Sequence, residues 1–266
     1  MIGVFDSGVG GMTVARAIEQ ALPQYRLVYF GDLARTPYGS KSPETIARYS
    51  CQNVDFLLER GAKLIVVACN SAASVAAQLL RDSYSLPLFD VIGPAVEQAA
   101  GATTGGRIGV IGTRATIRSG VYEGQLRERL PQCKVFSRSC PLLVPLVEEG
   151  WLEKRETRMI LRRYLAGLRR QQVDTLVLGC THYPLLKPMI QRRIGKRVRV
   201  IDSSQALASQ LLVYLDTHPE LAAALTPSSE GENQYFVSDV TEAASSIARR
   251  IFGRPMELRS APGTAE

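Results

Sequence analysis

Histidine is nearly absent from this 266-residue chain: there are two, and only His182 stands beside another reactive side chain. His218, in Asp216-Thr-His-Pro219, reads as a surface turn residue. Cysteine is sparse and odd in number, five residues with no Cys-x-x-Cys pair. That pattern excludes a disulfide framework and a structural zinc site, and no metal is expected. Aromatic residues are few, and none interleaves with the basic pairs Arg162-Arg163, Arg169-Arg170, Arg192-Arg193 and Lys196-Arg197. A stacking platform for single strands is therefore absent, and these pairs read as solvated helix faces. No apolar run approaches the ~20 residues that cross a bilayer. The chain opens directly into Ile2-Gly-Val-Phe5, without a basic segment leading an apolar core. No secretory leader is expected, and a cytoplasmic location is.

What is present is the composition of a globular enzyme, with enough chain for one large domain or two smaller ones. The formal charge is +7, which favours anionic small molecules and nucleic acid as partners.

Apolar runs of strand length alternate with helical patterns. Residues 2–5 end in Asp6-Ser-Gly-Val-Gly-Gly11, and 12–21 carry Val14, Ala17, Ile18 and Ala21 on one helical face. Residues 27–30 form a second strand. Ser42-Pro43 is a helix start, and Gly61 closes that helix near residue 60. Residues 64–68 predict a strand, 71–81 an alanine-rich helix and 86–91 a further strand. This order implies parallel sheets with crossover helices. The pattern then restarts. Arg107-Ile-Gly-Val-Ile-Gly112-Thr-Arg-Ala-Thr116 echoes the first residues, and Val173-Asp-Thr-Leu-Val-Leu-Gly-Cys180 echoes Ala62-Lys-Leu-Ile-Val-Val-Ala-Cys69. The offsets from Ile2 to Ile108 and from Cys69 to Cys180 are nearly equal, as an internal duplication requires. The expected fold is α/β, with two pseudo-symmetric lobes and a cleft between them. The expected division is 1–98 for the first lobe, 99–206 for the second, 207–253 for a return to the first, and 254–266 for a flexible tail.

Cys69, Cys180 and Asp6 all fall at predicted strand ends, where ligand groups collect in parallel sheets. Cys51, Cys133 and Cys140 lack polar companions and read as small buried hydrophobes. The matched settings of Cys69 and Cys180 suggest two thiols facing one another across the cleft. Opposed thiols can take a proton from one face of a carbon and return it on the other, which is the chemistry of a cofactor-independent racemase. A thiol needs help to act as a base. Asp6 and a helix start at Asn70-Ser71 are the candidates beside Cys69, and His182 is the candidate beside Cys180. Glu148 and Glu149 each offer an acidic group on the Cys180 side. Ser7, Asn70, Ser71 and Thr181 sit at turns that bind carboxylates, and Tyr38-Gly39 lies on a loop able to cover the site. The turn at 6–11 lacks the third glycine of a dinucleotide fingerprint and the Lys-Ser/Thr of a P-loop. Its glycines read as a tight turn that admits a ligand to the backbone.

At these residues the chain resembles the glutamate racemases of the aspartate/glutamate racemase superfamily. The matching stretches are Phe5-Asp-Ser-Gly-Val-Gly-Gly-Met-Thr-Val14, Gly31-Asp-Leu-Ala-Arg-Thr-Pro-Tyr-Gly39, Val67-Ala-Cys-Asn-Ser71 and Gly179-Cys-Thr-His-Tyr-Pro184. The resemblance implies interconversion of L- and D-glutamate without pyridoxal phosphate or metal, with D-glutamate supplied to peptidoglycan. It implies Cys69 as the base for D-glutamate and Cys180 for L-glutamate, assisted by Asp6 and His182, with Glu148 as the acidic partner. It implies substrate binding by Asp6-Ser7, Tyr38-Gly39, Asn70-Ser71 and Thr181-His182. A homodimer is expected; inhibition of DNA gyrase is an added role reported for some glutamate racemases, and a binding protein whose basic surface contacts nucleic acid or a DNA enzyme is a rival reading. Two positions depart from the family pattern: Ser71 stands where threonine is usual, and Ala73 where serine is common. The other rival readings are an aspartate or broad-specificity racemase, and a one-thiol hydrolase, which gives no reason for the second cysteine.

Overall fold

The computed structural model of the chain describes residues 1–261. The first half runs β1 (Ile2–Asp6), α1 (Met12–Ala21), β2 (Leu27–Gly31), α2 (Pro43–Glu59), β3 (Leu64–Val67), α3 (Asn70–Ser83), β4 (Leu88–Asp90) and α4 (Ile92–Ala102). The second continues through β5 (Arg107–Gly112), α5 (Arg114–Arg118), α6 (Val121–Arg129), β6 (Lys134–Ser139), α7 (Leu143–Glu148), α8 (Arg155–Arg170), β7 (Thr175–Gly179), α9 (Lys187–Ile194) and β8 (Arg199–Asp202). The chain ends with α10 (Ser203–Thr217), α11 (Pro219–Ala224), β9 (Gln234–Val237), α12 (Glu242–Phe252) and β10 (Arg259–Ser260).

Two parallel sheets result. One has the order β10-β9-β2-β1-β3-β4 and the other β6-β5-β7-β8. The central strands β1 and β3 are buried along their whole length, which is why they read as unbroken apolar runs. Helix α2 begins as its sequence demands. Ser42 Oγ accepts the Thr45 N–H, Pro43 fills the first helical position, and Gly61 leaves the helix end at φ +79°. After β8 the chain returns to the first sheet, where β9 pairs with β2. Little in the sequence after residue 217 signals this return. The tail expected from 254 behaves differently as far as it is described. Arg259 and Ser260 add an edge strand next to β9, and Ala261 is buried. Residues 262–266 of that expected tail lie outside the described residues.

The two sheets are not separately cored. Helix α10 packs on both α1 and α4, and α4 in turn packs on α6 and β7. The main apolar cluster therefore runs from the first sheet through Leu207 and Leu211 into Ile108, Val110, Leu126 and Val177 of the second. A smaller cluster fills the far side of the second sheet, with Leu161, Leu165 and Ile190 from α8 and α9. No helix among the described residues is long and apolar enough to cross a membrane.

Close packing of β3 and the turn that precedes it on β1 depends on Gly3. A Cβ there would lie 2.8 Å from Ala62 Cβ and 3.0 Å from Ile65 Cδ1. Gly3→Ala is expected to lower unfolding free energy by about 1–3 kcal/mol. Urea denaturation checks this, as a lower midpoint at unchanged slope.

Candidate active site

Parallel strands end on one side of their sheet, so the turns after β1, β3 and β7 collect the expected groups at the seam between the sheets. Asp6 is fully buried at the end of β1. Its carboxylate accepts the Gly8 N–H at 3.0 Å and the Thr181 hydroxyl at 3.3 Å. Thr181 is gripped a second time, because Thr13 Oγ1 shares its proton between the Gly10 carbonyl at 2.8 Å and the Thr181 carbonyl at 3.0 Å. These bonds join the turn after β1 directly to the turn after β7. Burial pushes the Asp6 carboxyl up, and the His182 charge with the Gly11 and Gly8 N–H groups only partly offsets this.

Cys69 occupies the N-cap position of α3 and is 4% exposed. Its thiol donates to Ser7 Oγ at 3.4 Å. Burial, and then the Asp6 carboxylate, push this thiol up to about 12, against the pull of the Ser7 hydroxyl and the Ala72 and Ser7 N–H groups. At neutral pH Cys69 is a thiol.

Cys180 follows β7, and its sulfur lies 3.9 Å from His182 Nδ1. On the opposite side of the ring, Nε2 donates to Glu148 Oε1 at 3.1 Å. Burial draws the His182 value down, but the hydrogen bonds to Cys180 and Glu148 outweigh it and raise it to about 10. His182 is therefore an imidazolium at neutral pH, held between a carboxylate and a sulfur. Of the two acidic candidates, Glu148 makes this contact and Glu149 is exposed to solvent.

The family model described as Asp/Glu/Hydantoin racemase matches residues 2–211. A glutamate racemase of Geobacter metallireducens is 48% identical over 253 residues, covering 95% of this chain and 92% of that one. The chain belongs to the glutamate racemase family. Two solved members of the family superpose closely. The RacE1 isoform of Bacillus anthracis gives a TM-score of 0.92 at 37% identity, covering 98% of this chain and 97% of its own. The glutamate racemase of Francisella tularensis, solved in complex with D-glutamate, gives 0.89 at 32% identity, covering 98% and 96%.

Within this family fold, the glycine-rich turn packs against two of the candidate groups. A Cβ on Gly10 would overlap the His182 ring, and one on Gly11 would overlap the Asp6 side chain. The turn makes room for the protein's own groups. The Tyr38 side chain has a structural place within its loop. Its phenol turns inward, donating to Asp32 Oδ2 and accepting from Asn53 Nδ2 at 3.0 Å. Arg35 closes this network with a 2.7 Å ion pair to Asp32. The phenol thus anchors the loop, and Gly39 carries the loop against Thr113.

Ser71 Oγ lies 2.9 Å from Thr113 Oγ1, a second polar bridge between the lobes. Thr113 also caps α5 by accepting the Thr116 N–H. Neither threonine stands out alone in the sequence, yet Thr113 occupies in the second repeat the place of Ser7 in the first. Asn70 Oδ1 accepts the Tyr122 hydroxyl at 2.7 Å, a contact with no sequence signature. No group of three or more His, Cys, Asp and Glu side chains able to hold a metal ion occurs among the described residues.

The raised value of His182 makes stability pH-dependent. In the unfolded chain a histidine titrates near ~6.5. The stabilisation from its charged contacts is complete below that value and is lost as pH rises through about 10. The denaturation midpoint should fall between pH 7 and pH 10, and His182→Gln should flatten the fall. Equal pH profiles for the two proteins would refute the assignment of charge to His182.

Proposed function

We propose that the protein interconverts L- and D-glutamate by proton transfer between Cys69 and Cys180, without a cofactor. The observation that carries this reading is the placement of two buried thiols at equivalent strand ends, one beside Ser7 and the other beside the His182–Glu148 pair. Cys69 rests protonated beside Asp6 and Ser7, ready to donate. Cys180 rests with its sulfur 3.9 Å from the His182 imidazolium. With L-glutamate bound, the Cys180 thiolate takes the α-proton and becomes a thiol. The carbanion then takes the Cys69 proton on its other face, and Cys69 becomes a thiolate. D-glutamate leaves, and the reverse sequence starts from Cys69. His182, oriented by Glu148, holds charge beside Cys180, and Asp6 adjoins Cys69 on the other side. Burial of both sulfurs keeps water from the carbanion and aligns donor and acceptor.

Substrate is held in this reading by the hydroxyls of Ser7, Ser71 and Thr181, by the Asn70 amide and by the backbone of Tyr38-Gly39. The N-terminus of α3 faces a carboxylate favourably. Ser71 keeps the hydroxyl of the usual threonine, and its bond to Thr113 gives it a defined place. The relatives' names support glutamate over aspartate as substrate. A cytoplasmic enzyme supplying D-glutamate for peptidoglycan is the corresponding cellular role.

The deciding experiment follows circular dichroism of L- and D-glutamate with the protein in D2O, without added cofactor. Both signals should decay with deuterium at the α-carbon. Cys69→Ser and Cys180→Ser should each slow racemisation by roughly 10²–10⁴-fold. Cys69→Ser should still exchange the α-proton of L-glutamate alone. A largely active Cys180→Ser protein would instead favour a one-thiol hydrolase. No change in glutamate with conversion of aspartate would move the substrate to the rival racemase.

Two partner readings belong here as well. A groove between α8 and α9 is lined by Arg158, Arg162, Arg169, Arg170, Arg192 and Arg193 against the single carboxylate of Glu153. Its two cavities of about 450 and 460 Å³ share Arg193. This supports contact with a phosphate backbone, the chemistry a nucleic-acid or gyrase–DNA partner offers. Exposed Leu142, Trp151 and Met159 supply apolar surface for a homodimer. One sedimentation-velocity series, with and without duplex DNA at rising salt, tests both. A dimer alone and a salt-sensitive DNA complex are expected. A monomer, or no complex at low salt, removes the corresponding reading.

A further inference from the structure

Tyr122 lies on α6 in the second lobe, and its side chain is 2% exposed. Its hydroxyl donates to Asn70 Oδ1 at 2.7 Å, on the residue directly after Cys69. Its ring packs over Gly179, the residue directly before Cys180. A Cβ on Gly179 would lie 3.1 Å from Tyr122 Cε2. One side chain therefore spans from the backbone beside one thiol to the amide beside the other.

The Asn70 amide has an oxygen that accepts and a nitrogen that donates twice. Tyr122 occupies the oxygen. The nitrogen is buried and has no hydrogen-bond partner in the protein. Buried donors are nearly always paired, so an orphan beside a candidate nucleophile marks a bond that a ligand completes. The missing partner must be an acceptor, and a carboxylate offers only acceptors. In this orientation the Tyr122 hydroxyl donates to the oxygen and the two N–H groups face away from it.

We propose that Tyr122 is a positioning residue that fixes the Asn70 amide with its N–H groups toward a carboxylate of the bound amino acid. This rests on the racemase reading given above. Tyr122 touches no reacting atom, so its contribution belongs to binding and is shared by both enantiomers. Burial, and then the charges of Asp90 and Cys180, push the phenol well above its ordinary value. It remains a donor across the neutral range, and its effect on KM is flat with pH there.

Tyr122→Phe keeps the ring over Gly179 and removes the hydroxyl. KM for L- and D-glutamate should each rise by about tenfold, with kcat changed by less than about threefold. Asn70→Ala should raise KM at least as much, and the double variant no further, because the two act as one unit. Effects that multiply in the double variant would overturn the proposal. So would a lowered melting temperature in Tyr122→Phe with KM unchanged. A readout without substrate is the Asn70 side-chain amide in 15N NMR spectra, identified by its loss in Asn70→Ala. In Tyr122→Phe its signals should shift and its protons exchange faster. An unchanged amide would overturn the proposal for any substrate. If the amide responds but the wild-type protein leaves glutamate unchanged, the substrate reading fails and the role of Tyr122 stands.

Discussion

Thr181 belongs to one sheet and is held by the other. Its hydroxyl reaches the Asp6 carboxylate, and its carbonyl takes the Thr13 hydroxyl. The sheets share no strand, so these buried bonds set the separation of the strand ends that carry Cys69 and Cys180. Buried polar contacts of this kind have few alternative partners, which makes the spacing a fixed one. The absent side chains of Gly10 and Gly11 are part of the same arrangement. They let the His182 ring and the Asp6 carboxylate occupy the seam.

The charge distribution at the seam is lopsided. The Asp6 carboxylate stands near Cys69 and keeps its proton in place, whereas the His182 cation stands at Cys180. Two chemically identical thiols thereby stand in oppositely charged surroundings. The pseudo-symmetry of the backbone thus frames a functional asymmetry. Asp6 and Gly112 occupy equivalent places in the two repeats, so the second lobe has no counterpart of the Asp6 carboxylate. In its place it recruits a histidine from the turn after β7 and a glutamate from the end of α7.

Much of this was legible in the sequence because strand ends, caps and turns leave local marks. The run before Cys69, the Ser42-Pro43 start and the Gly61 stop each specify their own geometry. The repeat of 62–69 in 173–180 pointed to paired cysteines before any contact was known. The choice between Glu148 and Glu149 was not legible, since a single-residue step at the end of α7 decides which carboxylate meets His182. The inward turn of Tyr38 was hidden for a similar reason: its partners Asp32 and Asn53 come from other elements. Tyr122 carries no mark at all, because its value lies in a contact between residues 52 positions apart. The edge strand at Arg259–Ser260 was missed because so short a polar segment becomes a strand only beside β9.

The apolar cluster that passes through α10 and α4 into the second sheet bears on how a substrate gets in. Jaws that swing apart on a hinge need two bodies with separate interiors. Here a wide opening would draw Leu207, Leu211 and Val177 away from their neighbours and wet a continuous dry interior. That cost grows with every square ångström of apolar surface exposed. The motion this architecture favours is a short sliding of packed helices. At the edge of the seam the Gly39 loop meets Thr113 through a contact without a large side chain, the kind of contact that such sliding disturbs least. The two halves are closer to a drawer in its frame than to a clam shell.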